Sequence, residues 1–327
     1  MIAFLLILTF KSLSQMAFYI SNLILQTRTL KNFLGKHTGS IKAIFIFSVI
    51  LFVIHEIGKI SKDINSTKVS SALGSQSLLN ILLMLILGFV AVAPMLNYDF
   101  MVTKFLPDHY PFSYVLKTGW ITNTFTNIGG AGGLLGATMR ALFYDKKSSK
   151  KYILGAVAKV ALFLVSGLSI FCMISLVILL GFQPEKISNR YWIWLVLGSL
   201  YFPAVIIFSH LHNKGIFEGL SAVNAGRLVT GSFFEWLGCV VFFIFIGRLL
   251  QVQIDFWEII PLFIIASVVG EVSMVPGGLG SFDVFMIIEL GMVGLDKNIA
   301  VVWILLYRIF YYICPFVVGI ILFIPGL

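Results

Sequence analysis

The stretch EVSMVPGGLGSFDVFMIIE, Glu271 to Glu289, decides how this chain is read. A hydrophobic run is broken at Pro276, Gly277, Gly278 and Gly280 and resumes with Asp283 inside it. Proline and glycine release backbone N–H and C=O groups from the helical ladder. In lipid those groups must find protein, water or a ligand, so such breaks persist where the backbone lines a cavity. The acid sharpens the reading. A carboxylate in an apolar helix costs about 2.5 to 3.5 kcal/mol on insertion scales, so Asp283 is expected to face a polar interior, pair with a base or bind a cationic group. A kinked helix whose acid snorkels to the surface is the plainer alternative. The coincidence of break and charge favours the cavity.

Composition sets the class. Of 327 residues, 59% are hydrophobic and 11% charged, with a mean hydropathy of +1.01, whereas a soluble globular domain carries about 25% charged residues. The apolar runs have helical length and do not alternate with period two, which favours a helix bundle over an outer-membrane barrel. The expected fold is therefore an all-α integral membrane protein, a polytopic helix bundle. The formal charge of +9 sits mainly in short loops, where the positive-inside rule and anionic headgroups account for it without nucleic-acid binding. Cys172, Cys239 and Cys314 lie in apolar runs without CxxC spacing and read as small core residues. His210 and His212 beside Lys214 are too few ligands for a metal site, and no cofactor motif is present.

Along the chain, residues 1–35 form an apolar and basic extension whose placement the sequence does not fix, and residues 36–327 form one transmembrane domain. Spans are expected near Ile41–Gly58, Leu78–Leu96, Tyr152–Gly181, Tyr191–Ser209, Leu228–Gly247 and Ile299–Ile324. Between the second and third lies TNTFTNIGGAGGLLGATMRALFY, in which Gly129, Gly130, Gly132, Gly133 and Gly136 break the helix and Arg140 follows. The grammar is that of Gly277 to Asp283 with the opposite sign. Two such re-entrant hairpins, one opening to each side and meeting near the midplane, are the arrangement an inverted repeat would give. The loop DKKSSKK, Asp145 to Lys151, is the strongest basic cluster and is expected in the cytoplasm, with the Gln183–Asn189 loop outside.

Rival motifs are weak. GGAGGLLG has no GK[ST] ending and PGGLGS does not complete a dinucleotide fingerprint, so nucleotide binding is not expected. Gly129-xxx-Gly133 and Gly132-xxx-Gly136 also fit close helix packing. More informative are five charges in or beside apolar runs: Asp99, Arg140, Glu235, Asp283 and Arg308. They read either as structural ion pairs, for instance Arg140 with Asp283, or as a polar pathway whose acids attract an ammonium group and whose arginines attract a phosphate.

From about Lys42 to Phe323 the chain resembles the membrane domain of the bacterial multiple peptide resistance factors, the lysylphosphatidylglycerol synthase and flippase family. The matching stretches are NYDF at Asn97, NIGGAGGLLGATMRALFY at Asn127, FEWLG at Phe234, VPGGLGSFDVF at Val275 and LLYRIFYYICP at Leu305. The resemblance implies a multi-pass protein of the bacterial plasma membrane. It implies a phospholipid flippase that moves aminoacylated phosphatidylglycerol from the inner to the outer leaflet and so confers resistance to cationic peptides. By motif the family's pathway residues fall on Asp99, Arg140, Glu235 and Asp283, to which Arg308 is added. Bifunctional members continue into a soluble synthase domain that transfers an amino acid from charged tRNA. No soluble stretch of that size lies within these 327 residues, so the transferase chemistry is expected on a separate partner domain. Rival readings are a membrane scaffold for that synthase and the lysyltransferase itself, and a homo-oligomer is compatible with the sequence.

Overall fold

With no water in the bilayer core, a spanning chain must satisfy its backbone within itself, and the apolar runs here do so as helices. A computed structural model describes residues 76–129, 134–145, 147–182, 192–211, 217–273 and 275–324, with isolated positions at Thr67, Ser71 and Gly74. The 1–35 extension, the span expected at Ile41–Gly58, Gly130, Gly132 and Gly133 of the first break, and the Gln183–Asn189 loop lie outside the described residues.

The described elements are all helical. In order they are α1 (Leu78–Val92), a 3₁₀ turn (Ala93–Met95), α2 (Leu96–Lys104), α3 (Phe112–Gly129), α4 (Leu134–Tyr144), α5 (Lys150–Ala161), α6 (Ser166–Phe182), α7 (Trp192–Ser199) and α8 (Tyr201–Leu211). There follow α9 (Ala222–Leu249), α10 (Phe256–Val272), a 3₁₀ turn (Pro276–Gly278), α11 (Ser281–Met292), α12 (Lys297–Tyr307), a π-helical turn (Arg308–Ile313) and α13 (Cys314–Phe323). Among the described residues, five continuous or nearly continuous rods are long and apolar enough to cross a membrane: Leu78–Lys104, Lys150–Gly181, Trp192–Leu211, Ala222–Leu249 and Lys297–Phe323. The chain is a multi-pass membrane protein.

Three spans depart from the sequence reading. The second expected span does not stop at Leu96. Its 3₁₀ turn, with Pro94 near its start, hands directly to α2, so Asn97 to Lys104 is helix and not loop. The run expected as one span at Tyr152–Gly181 is interrupted between α5 and α6, and α9 repairs the gap: Ser232 Oγ donates to the Leu164 carbonyl at 2.7 Å and accepts from the Gly167 N–H at 2.8 Å. The Tyr201 hydroxyl donates to the Leu162 carbonyl at 2.8 Å. Pro203 sits where α7 gives way to α8, and the Ser199 carbonyl that its missing N–H would leave open accepts from Ser169 Oγ at 3.2 Å, the same hydroxyl accepting from the Phe202 N–H at 2.9 Å. Buried serines thus hold the backbone where the ladder fails.

The two glycine-broken segments, α3–α4 and α10–α11, pack among the spans. Phe125 of α3 meets Phe316 of α13 edge-on at 4.8 Å. Phe243 of α9 stacks on Trp303 of α12 at 4.5 Å and lies 5.0 Å from Phe263 of α10. Cys172 and Cys239 are buried and Cys314 is half-buried, all as free thiols. Basic groups gather at one end. There Lys104 donates to Asn224 at 2.8 Å, Lys159 to the Glu218 carbonyl, and Lys147 to the His109 carbonyl at 3.4 Å.

Candidate functional site: two buried ion pairs and the acid between them

The first break places its charge against α2. Arg140, one and a half turns into α4, donates from Nε to Asp99 Oδ1 at 2.9 Å and from Nη2 to Asp99 Oδ2 at 2.8 Å. Asn123 of α3 closes a triangle: it accepts from Arg140 Nη2 at 3.0 Å and donates to Asp99 Oδ2 at 2.9 Å and to the Met95 carbonyl at 3.0 Å. Asp99 is 0% exposed and Arg140 7%. Such a pair is retained at depth only when the remaining lone pairs and N–H groups are satisfied, which Asn123 helps to do. The approach is close because Gly119 carries no side chain: a Cβ there would stand 2.9 Å from the Asp99 Cβ.

The second break is held by its own ion pair. Gly277, Gly278 and Gly280 take φ of 60°, 61° and 85°, a backbone region in which glycine alone is unstrained. Asp283, at the third position of α11, accepts from the Gly280 N–H at 2.8 Å and so caps the helix that follows the break. Arg308 donates to Asp283 Oδ1 from Nε at 2.9 Å and lies 2.8 Å from it through Nη2. It also donates to the Gly277 carbonyl at 2.8 Å and to the Gly278 carbonyl at 3.4 Å. The guanidinium is sandwiched by Tyr312 at 4.6 Å and Phe282 at 5.2 Å. The π-helical turn that begins at Arg308 carries both its charge and its tyrosines.

The pairing raised from sequence, Arg140 with Asp283, is therefore corrected. Each break has a partner of its own, Asp99 for Arg140 and Arg308 for Asp283. The two breaks do approach one another. A Cβ at Gly277 would lie 3.0 Å from the carbonyl oxygen of Asn127 and 3.7 Å from that of Ile128, so the last turn of α3 abuts the second break. Gly129 is the final residue of α3, and Gly136 lies inside α4, so of the first glycine run neither interrupts a helix internally.

Glu235 connects the pairs. It accepts a hydrogen bond from the Tyr98 hydroxyl, and Tyr98 is the residue before Asp99. One turn on, Cys239 lies 3.0 Å from the Tyr311 hydroxyl, and Tyr311 packs edge-on against Tyr312 at 4.9 Å. A thread of polar groups thus runs from Arg140 and Asp99 through Tyr98, Glu235, Cys239, Tyr311 and Tyr312 to Arg308 and Asp283. All five charges singled out from sequence lie on it. Sequence reasoning missed Asn123, although it stands in the quoted TNTFTN, because an asparagine there looks like one polar residue among several. It also missed Glu271, which interacts electrostatically with Glu235 and stays exposed at the last turn of α10.

No family model matches the chain. Among curated proteins, the phosphatidylglycerol lysyltransferase of Bacillus subtilis (strain 168) is 27% identical over 291 residues, covering 85% of this chain and 33% of that protein. The enzyme of the same name from Staphylococcus aureus (strain MRSA252) is 27% identical over 289 residues, covering 86% and 34%. The chain is related to the phosphatidylglycerol lysyltransferases. It spans about one third of the length of these curated relatives. The relationship places it among multi-pass proteins of the bacterial membrane.

Proposed function

We propose that the chain translocates aminoacylated phosphatidylglycerol, foremost lysylphosphatidylglycerol, from the inner to the outer leaflet, and thereby lowers the negative surface charge that attracts cationic peptides. The observation that supports this most is the meeting of two broken helices at a polar thread bearing acids, arginines and tyrosines across an otherwise apolar bundle. A headgroup with one phosphate and two ammonium groups needs both signs of charge on its way through. Asp99, Arg140, Asp283 and Arg308 hold the two hairpins in register, and Glu235, which among the described residues is hydrogen-bonded to the Tyr98 hydroxyl and to no base, is the acid placed to take an ammonium group. Opposed breaks that rock about this thread would give alternating access in the manner of an inverted repeat.

A second reading is supported by the name of the relatives: the chain serves as the membrane half of a lysyltransferase, anchoring or regulating a synthase domain carried elsewhere. Co-expression with a soluble synthase separates the two. Translocation predicts a higher fraction of lysylphosphatidylglycerol within reach of an impermeant amine reagent at constant total lipid. A scaffold changes the total and leaves the fraction unchanged.

A further inference from the structure

Both arginines on the polar thread are already neutralised by buried aspartates, which leaves open where the phosphate of a lipid headgroup is held. An open cleft of about 620 Å³ at the basic end of the bundle offers a third arginine. It is lined by Pro94 from the turn between α1 and α2, by Asn97 from the first turn of α2, and by Val223, Arg227, Thr230 and Phe234 from α9. We propose that this cleft is the loading site for a phosphoglyceride headgroup from the cytoplasmic leaflet, with Arg227 binding the phosphate. The inference rests on the lipid-translocation reading above and assigns its point of entry.

Five observations carry it. Arg227 is exposed, and among the described residues its guanidinium makes no ion pair or hydrogen bond, so its planar fork is free for a phosphate. Its own backbone carbonyl is fixed by Asn97 Nδ2 at 3.1 Å, which anchors the helix turn from which the side chain projects. Val223, Arg227, Thr230 and Phe234 recur at three- and four-residue intervals and so share one face of α9, all exposed, with apolar groups flanking the cation and the Thr230 hydroxyl. Lys104 and Lys159 stand at the same end of the bundle and add positive potential where an anionic leaflet would lie. The cleft's volume falls in the range of small-molecule sites, about 300 to 1,000 Å³.

The face also leads somewhere. Arg227 and Glu235 are eight residues apart on one helix, a rise of about 12 Å. An aminoacyl ester extends the headgroup beyond its phosphate by a chain of about that order. A lipid with its phosphate on Arg227 therefore presents its amine toward Glu235, at the middle of the thread, and the neighbouring Glu271. On this account Arg227 sets the requirement for an anionic phosphoglyceride, and the carboxylates sense the amine.

A photo-crosslinking amino acid introduced at Phe234 reads occupancy of the cleft directly. The full chain is placed in vesicles containing radiolabelled phosphatidylglycerol or, in parallel, radiolabelled phosphatidylcholine. The proposal expects phosphatidylglycerol to crosslink preferentially, Arg227→Gln to weaken its apparent affinity about tenfold, and Arg227→Lys to recover part of it. Inorganic phosphate at millimolar concentration should leave the crosslink in place. Equal crosslinking of both lipids, an unchanged signal in Arg227→Gln, or displacement by inorganic phosphate would each overturn it. Occupancy is measured at equilibrium, without any flipping. A preferential, Arg227-dependent crosslink in a protein that moves no lipid would thus refute translocation alone, and translocation that survives Arg227→Gln would refute the cleft alone.

Discussion

The two glycine breaks use the same chemistry with the signs exchanged, and they differ in what their ion pairs grip. After the first, α4 supplies the cation, and the described contacts of the pair run to side chains: Arg140 to Asp99, and both to Asn123. After the second, α11 supplies the acid, and the pair grips the backbone of the break. Asp283 caps Gly280 and Arg308 holds the carbonyls of Gly277 and Gly278. The first pair therefore ties three helices to one another, whereas the second ties a turn into its left-handed conformation. The two pairs thus differ in what they hold, although each joins an aspartate to an arginine.

That contrast orders the effects of mutation. The largest loss is expected for Arg308→Gln, which leaves Asp283 buried without its base and releases two carbonyls of the break. About 3 to 5 kcal/mol should be lost, measured as unfolding in detergent. Asp283→Asn should cost less, because an asparagine oxygen can still accept from the Gly280 N–H and the carbonyl bonds to Arg308 remain. Equal losses would show that the backbone grip contributes little. Arg140→Gln comes next. In contrast to the second break, the double change Asp99→Asn with Arg140→Gln should restore much of the stability, since amides can remake the triangle with Asn123, and a double-mutant cycle should show coupling of about 1.5 kcal/mol or more. Strict additivity would break the comparison. Asn123→Ala should cost about 1 to 2 kcal/mol by removing a donor to Asp99 and an acceptor from Arg140 in a buried site. Smallest is Ser232→Ala, about 1 kcal/mol, which tests the repair between α5 and α6 away from both breaks.

Much of this was legible from the residues. Run length marked the spans, and Pro276 with its glycines marked the second break, because both are local properties of the chain. The five charges stood out because each lies in an apolar setting. Which charge meets which did not follow. Asp99 and Arg140 are joined from two helices with a third between them, and Asp283 and Arg308 from helices separated by a turn, so helix register alone permits several pairings. The interruption at Leu162–Val165 was hidden as well. Its sequence, LFLV, is apolar throughout, and the groups that satisfy it, Ser232 and Tyr201, lie on other helices. Arg308, added in sequence to the four residues that the motifs mark, holds the second break.

Glu235 gives the most direct test, since it sits between the two pairs and none of the contacts that lock the breaks depends on it. Purified chain is reconstituted into vesicles whose lysylphosphatidylglycerol begins in the inner leaflet, and its appearance outside is followed with an impermeant amine reagent. The account predicts protein-dependent appearance of the lipid. It also predicts that Glu235→Gln, folded and as stable as the parent to within about 1 kcal/mol, slows that appearance at least tenfold. Lysylphosphatidylglycerol that stays inside with the parent chain, or crosses equally fast with Glu235→Gln, would contradict it.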